Sequence, residues 1–210
     1  MQVNPDIMAE MGLSATEAAR RAQIIGATIG VLADLGYRRT TFAKIKERAG
    51  LSSTRLISYH FTNKAGLLQA VLSTVVETKN GFLAERTDGG LDPADRPGYL
   101  RAHIETSVAF LRAYPECVRA LTELAANADD ADGWVMTKVL VDDMRVHGLA
   151  RQLKQGQAEG AFGEFTPEVM AMSIAQAIDG VAAAYAADPG LDLEQYGREL
   201  ADTFVKATAP

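Results

Sequence analysis

A chain of 210 residues is long enough to bury a substantial core as one large or two small domains. Apolar residues make up 48%, aromatic residues 7% and proline only 7 positions, which excludes a disordered chain and points to an all-α globular one. The formal net charge of −6 argues against a nucleic-acid partner until its distribution is read, and the single cysteine, Cys117, excludes an internal disulfide.

In chain order, residues 1–15 show no sustained period and read as a flexible arm. A helix is predicted from near Thr16, with Glu17 in its first turn and Ile24, Thr28, Val31, Leu32 and Leu35 at helical spacing before Gly36 ends it. Its Arg20 and Arg21 either approach a phosphate or remain solvated. Thr41 then caps a short helix carrying Phe42, Ile45 and Ala49, Gly50 breaks it, and Ser52 or Ser53 caps the next. On that second helix Leu56, Ile57 and Phe61 form an inward face. Thr54, Arg55, Ser58 and Tyr59 are left outward, all of them types suited to base edges and phosphates. Two short helices around a glycine turn, behind a first helix, make a helix-turn-helix. Between Glu17 and Lys64 nine Lys/Arg stand against three acids, whereas from Ala65 onward twelve bases face twenty-two acids. The attraction for phosphate is therefore concentrated on the helix-turn-helix and absent from the acidic body.

Thr62 or Asn63 caps a connecting helix through Leu67, Leu68, Val71 and Val75 to about Lys79. Gly81 and the turn-rich stretch from Asp88 to Gly98 follow. A helix is predicted from Tyr99 to Tyr114, with Pro115 stopping it and opening another through Leu124 to the loop at 127–133. Trp134 to Gly160 reads as a long helix interrupted near Gly148 or Gly156. The last two helices are expected from Pro167 to the Asp188-Pro-Gly stop and from Leu191 to Ala207. No run approaches the roughly 20 apolar residues of a membrane span, and the first residues lack a signal pattern, so a cytoplasmic protein is expected.

The block from Arg21 to Leu68 resembles the N-terminal DNA-binding domain of the TetR family of bacterial transcriptional regulators. The resemblance lies in Ile24-Ile25, Leu35-Gly36-Tyr37, Thr40-Thr41, Ile45, Ala49-Gly50-Leu51-Ser52, Tyr59-His60-Phe61 and Lys64 through Leu68, in order. It departs from the family in having nine residues from Ser53 to Phe61 without a glycine, which puts Ile57 or Ser58 where a phosphate-contacting Tyr often stands. It departs again at Lys46, where a small Ala commonly packs. The resemblance implies a DNA-binding domain at residues 1–64 and a helical effector-binding and dimerisation domain at residues 65–210. It implies a homodimer, joined through the last two helices, that represses from a near-palindromic operator and is released by a small molecule.

The candidate DNA contacts are Thr40, Thr41, Lys46, Ser53, Thr54, Arg55, Ser58, Tyr59, His60 and Lys64. Arg55 is the best candidate for base readout because its guanidinium matches guanine O6 and N7 as a fork. Thr41, Ser53, Thr54, Tyr59 and Lys64 suit phosphate, Thr41 and Ser53 doubling as caps, while His60 sits where a helix end usually packs. Of the side chains on the apolar helices beyond, His103, Trp134, Met144, His147, Met172 and Gln176 are the candidates for an effector cavity. Asp143 and His147 at i, i+4 read as an ion pair rather than a metal site, so neither a metal nor another cofactor is expected. An enzyme would need a convergent acid, base or nucleophile set, and no paired motif or phosphate loop supplies one. A helical adaptor would leave the basic module without a purpose.

Overall fold

The computed structural model describes residues 14–87, 91–92, 94–127 and 146–210. Its helices are α1 (Ala15–Leu35), α2 (Phe42–Ala49), α3 (Arg55–His60), α4 (Lys64–Arg86), α5 (Arg96–Ala113), α6 (Pro115–Ala126), α7 (Gly148–Ala158), α8 (Pro167–Ala187) and α9 (Leu193–Thr208), with a 3-10 turn at Tyr37–Arg39. Among the described residues there is no strand, and the chain is all-α as its composition predicts.

Most helix ends follow from local chemistry. Ser14 caps α1 and Glu17 returns the favour, its carboxylate accepting from the Ser14 amide at 3.0 Å, so the helix starts one residue ahead of Thr16. The Asn63 side chain accepts from the Gly66 amide at 2.8 Å, which makes it, rather than Thr62, the cap of α4. Pro97, Pro115 and Pro167 stand in the first turns of α5, α6 and α8, where a missing N–H is no loss. Asp192 caps α9, accepting from Glu194 and Gln195 at 3.0 Å each. Two expectations need correction. α4 runs past Lys79 to Arg86 with Gly81 inside it, because one glycine costs a helix only about 1 kcal/mol. And α8, 21 residues with a mean hydropathy of 1.4, is long and apolar enough by length and composition to cross a bilayer. Its many alanines conceal that run from a reading by large side chains.

The helices form two compact units. Among the described residues, the first takes the chain from 14 to 76 together with 116–127, so it extends beyond Lys64 along α4 and draws in α6. Here α1 packs on α2 and α3. Ile24, Ile25, Leu32, Ile45, Ile57, Leu67, Leu68 and Val71 supply its interior, none more than 2% exposed.

The second unit takes 77–115 and the described residues from 146 onward. α5 lies along α9, and α8 packs on α7, α5 and α9. Leu100, Ile104, Leu153, Ala171, Ile174 and Ala201 form the centre of its core. Phe82, Phe110 and Tyr114 add a ring cluster, the last two stacked at 4.8 Å between centroids. On its surface Arg96 forks onto Glu159 at 2.7 and 2.8 Å, and Arg101 reaches Asp202 at 2.6 Å.

Candidate nucleic-acid interface

α2 is held at both ends by residues the sequence supplies locally. At its start the Thr41 hydroxyl accepts from the Lys44 amide at 3.3 Å. At its end Gly50 takes a left-handed conformation, φ 63°, which lets the amides of Gly50 and Leu51 reach back to the carbonyls of Glu47 and Lys46. The chain then turns through Ser53, whose hydroxyl accepts from the Arg55 amide at 3.1 Å, into α3. With six residues α3 cannot sustain itself, and it is anchored by Ile57 and Phe61, 0% and 4% exposed. Ile57 is therefore core. Arg55, Ser58 and Tyr59, at i, i+3 and i+4, share the exposed side of α3, and Tyr59 is 74% exposed.

The remaining candidates separate by burial. Ser53, Thr54 and Lys46 are half-exposed and Thr41 is exposed. Thr40 is turned inward, 1% exposed, its hydroxyl donating to the Gly36 carbonyl at 2.8 Å. Having given its hydrogen to the fold, it presents no surface for a DNA contact, contrary to expectation. Lys64 lays its ammonium 4.2 Å from the centroid of the Tyr37 ring. His60 is half-buried with its ring edge-on to Tyr59 at 5.0 Å; burial, aided by Arg21, lowers its pKa below the ordinary 6.5 and keeps it neutral near pH 7. On Glu17 the hydrogen bonds from Ser14 hold the carboxyl below its usual range, with a smaller contribution from His60.

Several bases that read as available cations have partners in the fold. Arg48 pairs with Asp34 at 2.5 Å and Glu116 at 3.1 Å, and Lys44 pairs with Glu47 at 3.1 Å. Arg48 lies against α1 at Gly30, where a Cβ would run into its guanidinium. A second carboxylate from α6 does the same further along: Glu123 accepts from the Tyr37 amide at 2.9 Å and would stand 2.9 Å from a Cβ at Gly36. These contacts join residues 68 and 86 positions apart, so no local pattern announced them.

Of the described effector candidates only His103 is turned even partly inward. His103 is half-buried on α5, and burial, with Lys79 acting in the same direction, pushes its pKa down to about 3. His147, Met172 and Gln176 are exposed, Met172 by 50%, so as cavity linings within one chain they are corrected. Met172 and Gln176 fall on the side of α8 that carries the exposed Glu168, Ser173 and Asp179, opposite the buried Ala171, Ile174 and Val181. Trp134 and Met144 lie outside the described residues. Among the described residues no group of three or more His, Cys, Asp or Glu is placed to hold a metal.

By its fold and exposed second helix the chain is an all-α helix-turn-helix protein. More narrowly, residues 24–71 match the profile of the bacterial regulatory proteins of the tetR family. It is 37% identical over 90 residues to the HTH-type transcriptional regulator BetI of Stenotrophomonas maltophilia (strain R551-3), a stretch covering 42% of this chain and 44% of that one. With BetI of Escherichia coli (strain K12 / DH10B) it shares 39% over 59 residues, 28% of this chain and 30% of the other. The match thus spans less than half the length of these curated relatives. In structure it is similar to a TetR transcription regulator from Haloarcula marismortui ATCC 43049, with TM-score 0.70 and 21% identity over 92% of this chain and 100% of that one. A TetR family transcription regulator from Marinobacter aquaeolei VT8 gives TM-score 0.71 and 18% identity over 92% and 97%. At these identities the likeness is one of fold.

Proposed function

We propose that this chain is a sequence-specific DNA-binding transcriptional regulator, a repressor that leaves a near-palindromic operator when a small-molecule effector binds. The observation that carries the reading is the exposed Arg55, Ser58 and Tyr59 face of α3, set on the buried Ile57 and Phe61. In this reading Arg55 reads a base, while Thr41, Ser53, Thr54, Ser58 and Tyr59 meet phosphates with Lys46 beside them. Residues 1–64 make up the DNA-reading domain and residues 65–210 the effector-binding and dimerisation domain, with His103 the one described effector candidate drawn toward an interior.

A single six-residue helix offers too little contact for tight specific binding, and a two-fold dimer doubles it at half-sites about 34 Å apart. The dimer forms through α8 and α9. In its favour, α8 is apolar yet only 22% of its most apolar window is buried, Val169 and Met172 are 54% and 50% exposed, and Tyr196 on α9 is 44% exposed. The buried Ala171, Ile174 and Val181 favour a water-soluble, cytoplasmic protein over a membrane span for the same helix. Effector release needs a ligand that prefers the dimer geometry in which the two α3 helices no longer fit, a coupling of about 1–3 kcal/mol.

Selection of bound sequences from random DNA tests the proposal. One preferred near-palindrome, with binding that weakens steeply as salt rises, is expected. Arg55→Ala should relax the preference at one position per half-site by about 1–3 kcal/mol. Binding with no preferred sequence, or none at low salt, would sink the reading.

A further inference from the structure

We propose that Arg21 and Gln23 on α1 are positioning residues that set the angle of α3, and that neither touches DNA. The proposal rests on the reading of α3 as the DNA-reading helix. An α-helix ends with carbonyls that have no partner inside it. At the end of α2 the amides of Gly50 and Leu51 satisfy Glu47 and Lys46, and at the end of α3 the Phe61 amide satisfies Ile57. The carbonyls of the two last residues, Ala49 and His60, are met from α1. The Gln23 side-chain amide donates to the Ala49 carbonyl at 2.6 Å, and the Arg21 guanidinium donates to the His60 carbonyl.

Both donors are themselves fixed. The Gln23 carbonyl oxygen accepts from Arg20 at 2.6 Å, which orients the amide toward Ala49. The Arg21 guanidinium lies 4.3 Å from the centroid of the Phe61 ring, and its Nε is buried without a hydrogen-bond partner. A guanidinium stacked on a ring, with one nitrogen enclosed and another on a helix-end carbonyl, is directed into the fold, not toward a phosphate as its place among the basic residues suggests. Its charge also suits the negative end of the α3 dipole.

The consequence is geometric. α2 and α3 have eight and six residues, too few to hold their own directions, and both C-terminal ends are tied to the same helix through side chains two positions apart. Ser58, Tyr59 and His60 occupy the turn of α3 that Arg21 closes. Removing Arg21 loosens the end of α3 that carries its outward residues.

The test compares Arg21→Met, Arg21→Lys and Gln23→Ala with the wild-type chain in two assays. In gel-shift titrations on the selected operator, Arg21→Met and Gln23→Ala should each weaken binding about tenfold or more, while binding to scrambled DNA stays within about twofold. The slope of log K against log salt should not change, and Arg21→Lys should recover most of the loss. A slope shallower by about 0.9 for Arg21→Met would make it a phosphate contact and overturn the proposal. So would equal losses on operator and scrambled DNA, or no loss on either.

The second assay is amide hydrogen exchange at residues 58–61 in the free protein, which should quicken about tenfold in Arg21→Met with α1 unaffected. If the wild-type chain binds no DNA at low salt, the DNA-reading assignment falls on its own, and unchanged exchange would separately overturn the positioning role. Gln23 is exposed, so Gln23→Ala keeps the titration decisive even if Arg21→Met does not fold.

Discussion

The two units of this chain fix their helices by different means. In the first, α2 and α3 are short, and single polar side chains close their ends: Thr41, Ser53, Gln23 and Arg21, with Glu123 on the Tyr37 amide beside them. In the second, α8 and α9 span 21 and 16 residues and are held by the apolar surface they bury, with ion pairs placed on the outside. The first unit is specified at points and the second over an area. A protein that must present a few side chains at a set angle gains from the former, because an apolar contact has no direction and a hydrogen bond does.

Four substitutions would sharpen or break this contrast, the first three followed by urea unfolding of the whole chain and the fourth by its melting temperature against pH. Ile174→Ala should have the largest effect, a loss of about 2–5 kcal/mol, since Ile174 is fully buried in the second core. Gly36→Ala should come next, at about 1–3 kcal/mol: with φ 78° and ψ 169° it occupies a conformation that only glycine adopts readily, and a methyl there would crowd Glu123. Thr41→Ala should cost about 1 kcal/mol through the lost cap of α2.

The smallest effect belongs to Glu159→Gln, a small loss at neutral pH that disappears in acid. Hydrogen bonds from Arg96, and then Gln155, hold the Glu159 carboxyl down from the ordinary 4.5 to about 2. A depressed carboxyl stabilises the fold fully above its unfolded value, so that contribution is lost as pH falls from about 4.5 toward 2. The variant should flatten this part of a plot of melting temperature against pH. If it instead destabilised the chain at neutral pH as much as Ile174→Ala, the distinction between core and surface in the second unit would fail.

What the sequence revealed follows the same division. Caps act within a turn, so Thr41, Asn63, Pro115 and Pro167 mark helix starts by type and place alone. The outward side of α3 was legible because Arg55, Ser58 and Tyr59 fall at helical spacing around the apolar Ile57. Arg21 and Gln23 were not legible as caps, since their partners are backbone carbonyls, which have no signature in a side-chain alphabet. Nor was the pairing of Arg48 with Glu116, where charge counting had assigned to DNA a cation that the fold already uses. Met172 and Gln176 were misplaced because the polar residues that mark the outer side of α8, Glu168, Ser173, Gln176 and Asp179, are sparse among its alanines, and Met172 falls among them.

The first unit is also interrupted in the chain: it leaves at 76 and returns at 116 through α6. On the ribosome, then, the helix-turn-helix emerges long before the carboxylates of Glu116 and Glu123 that will brace Arg48 and the Tyr37 amide. Its finished form waits on the synthesis of residues that belong, by position, to the other half of the molecule. A gene fragment cut after residue 76 would encode every side chain of α3 and none of that bracing.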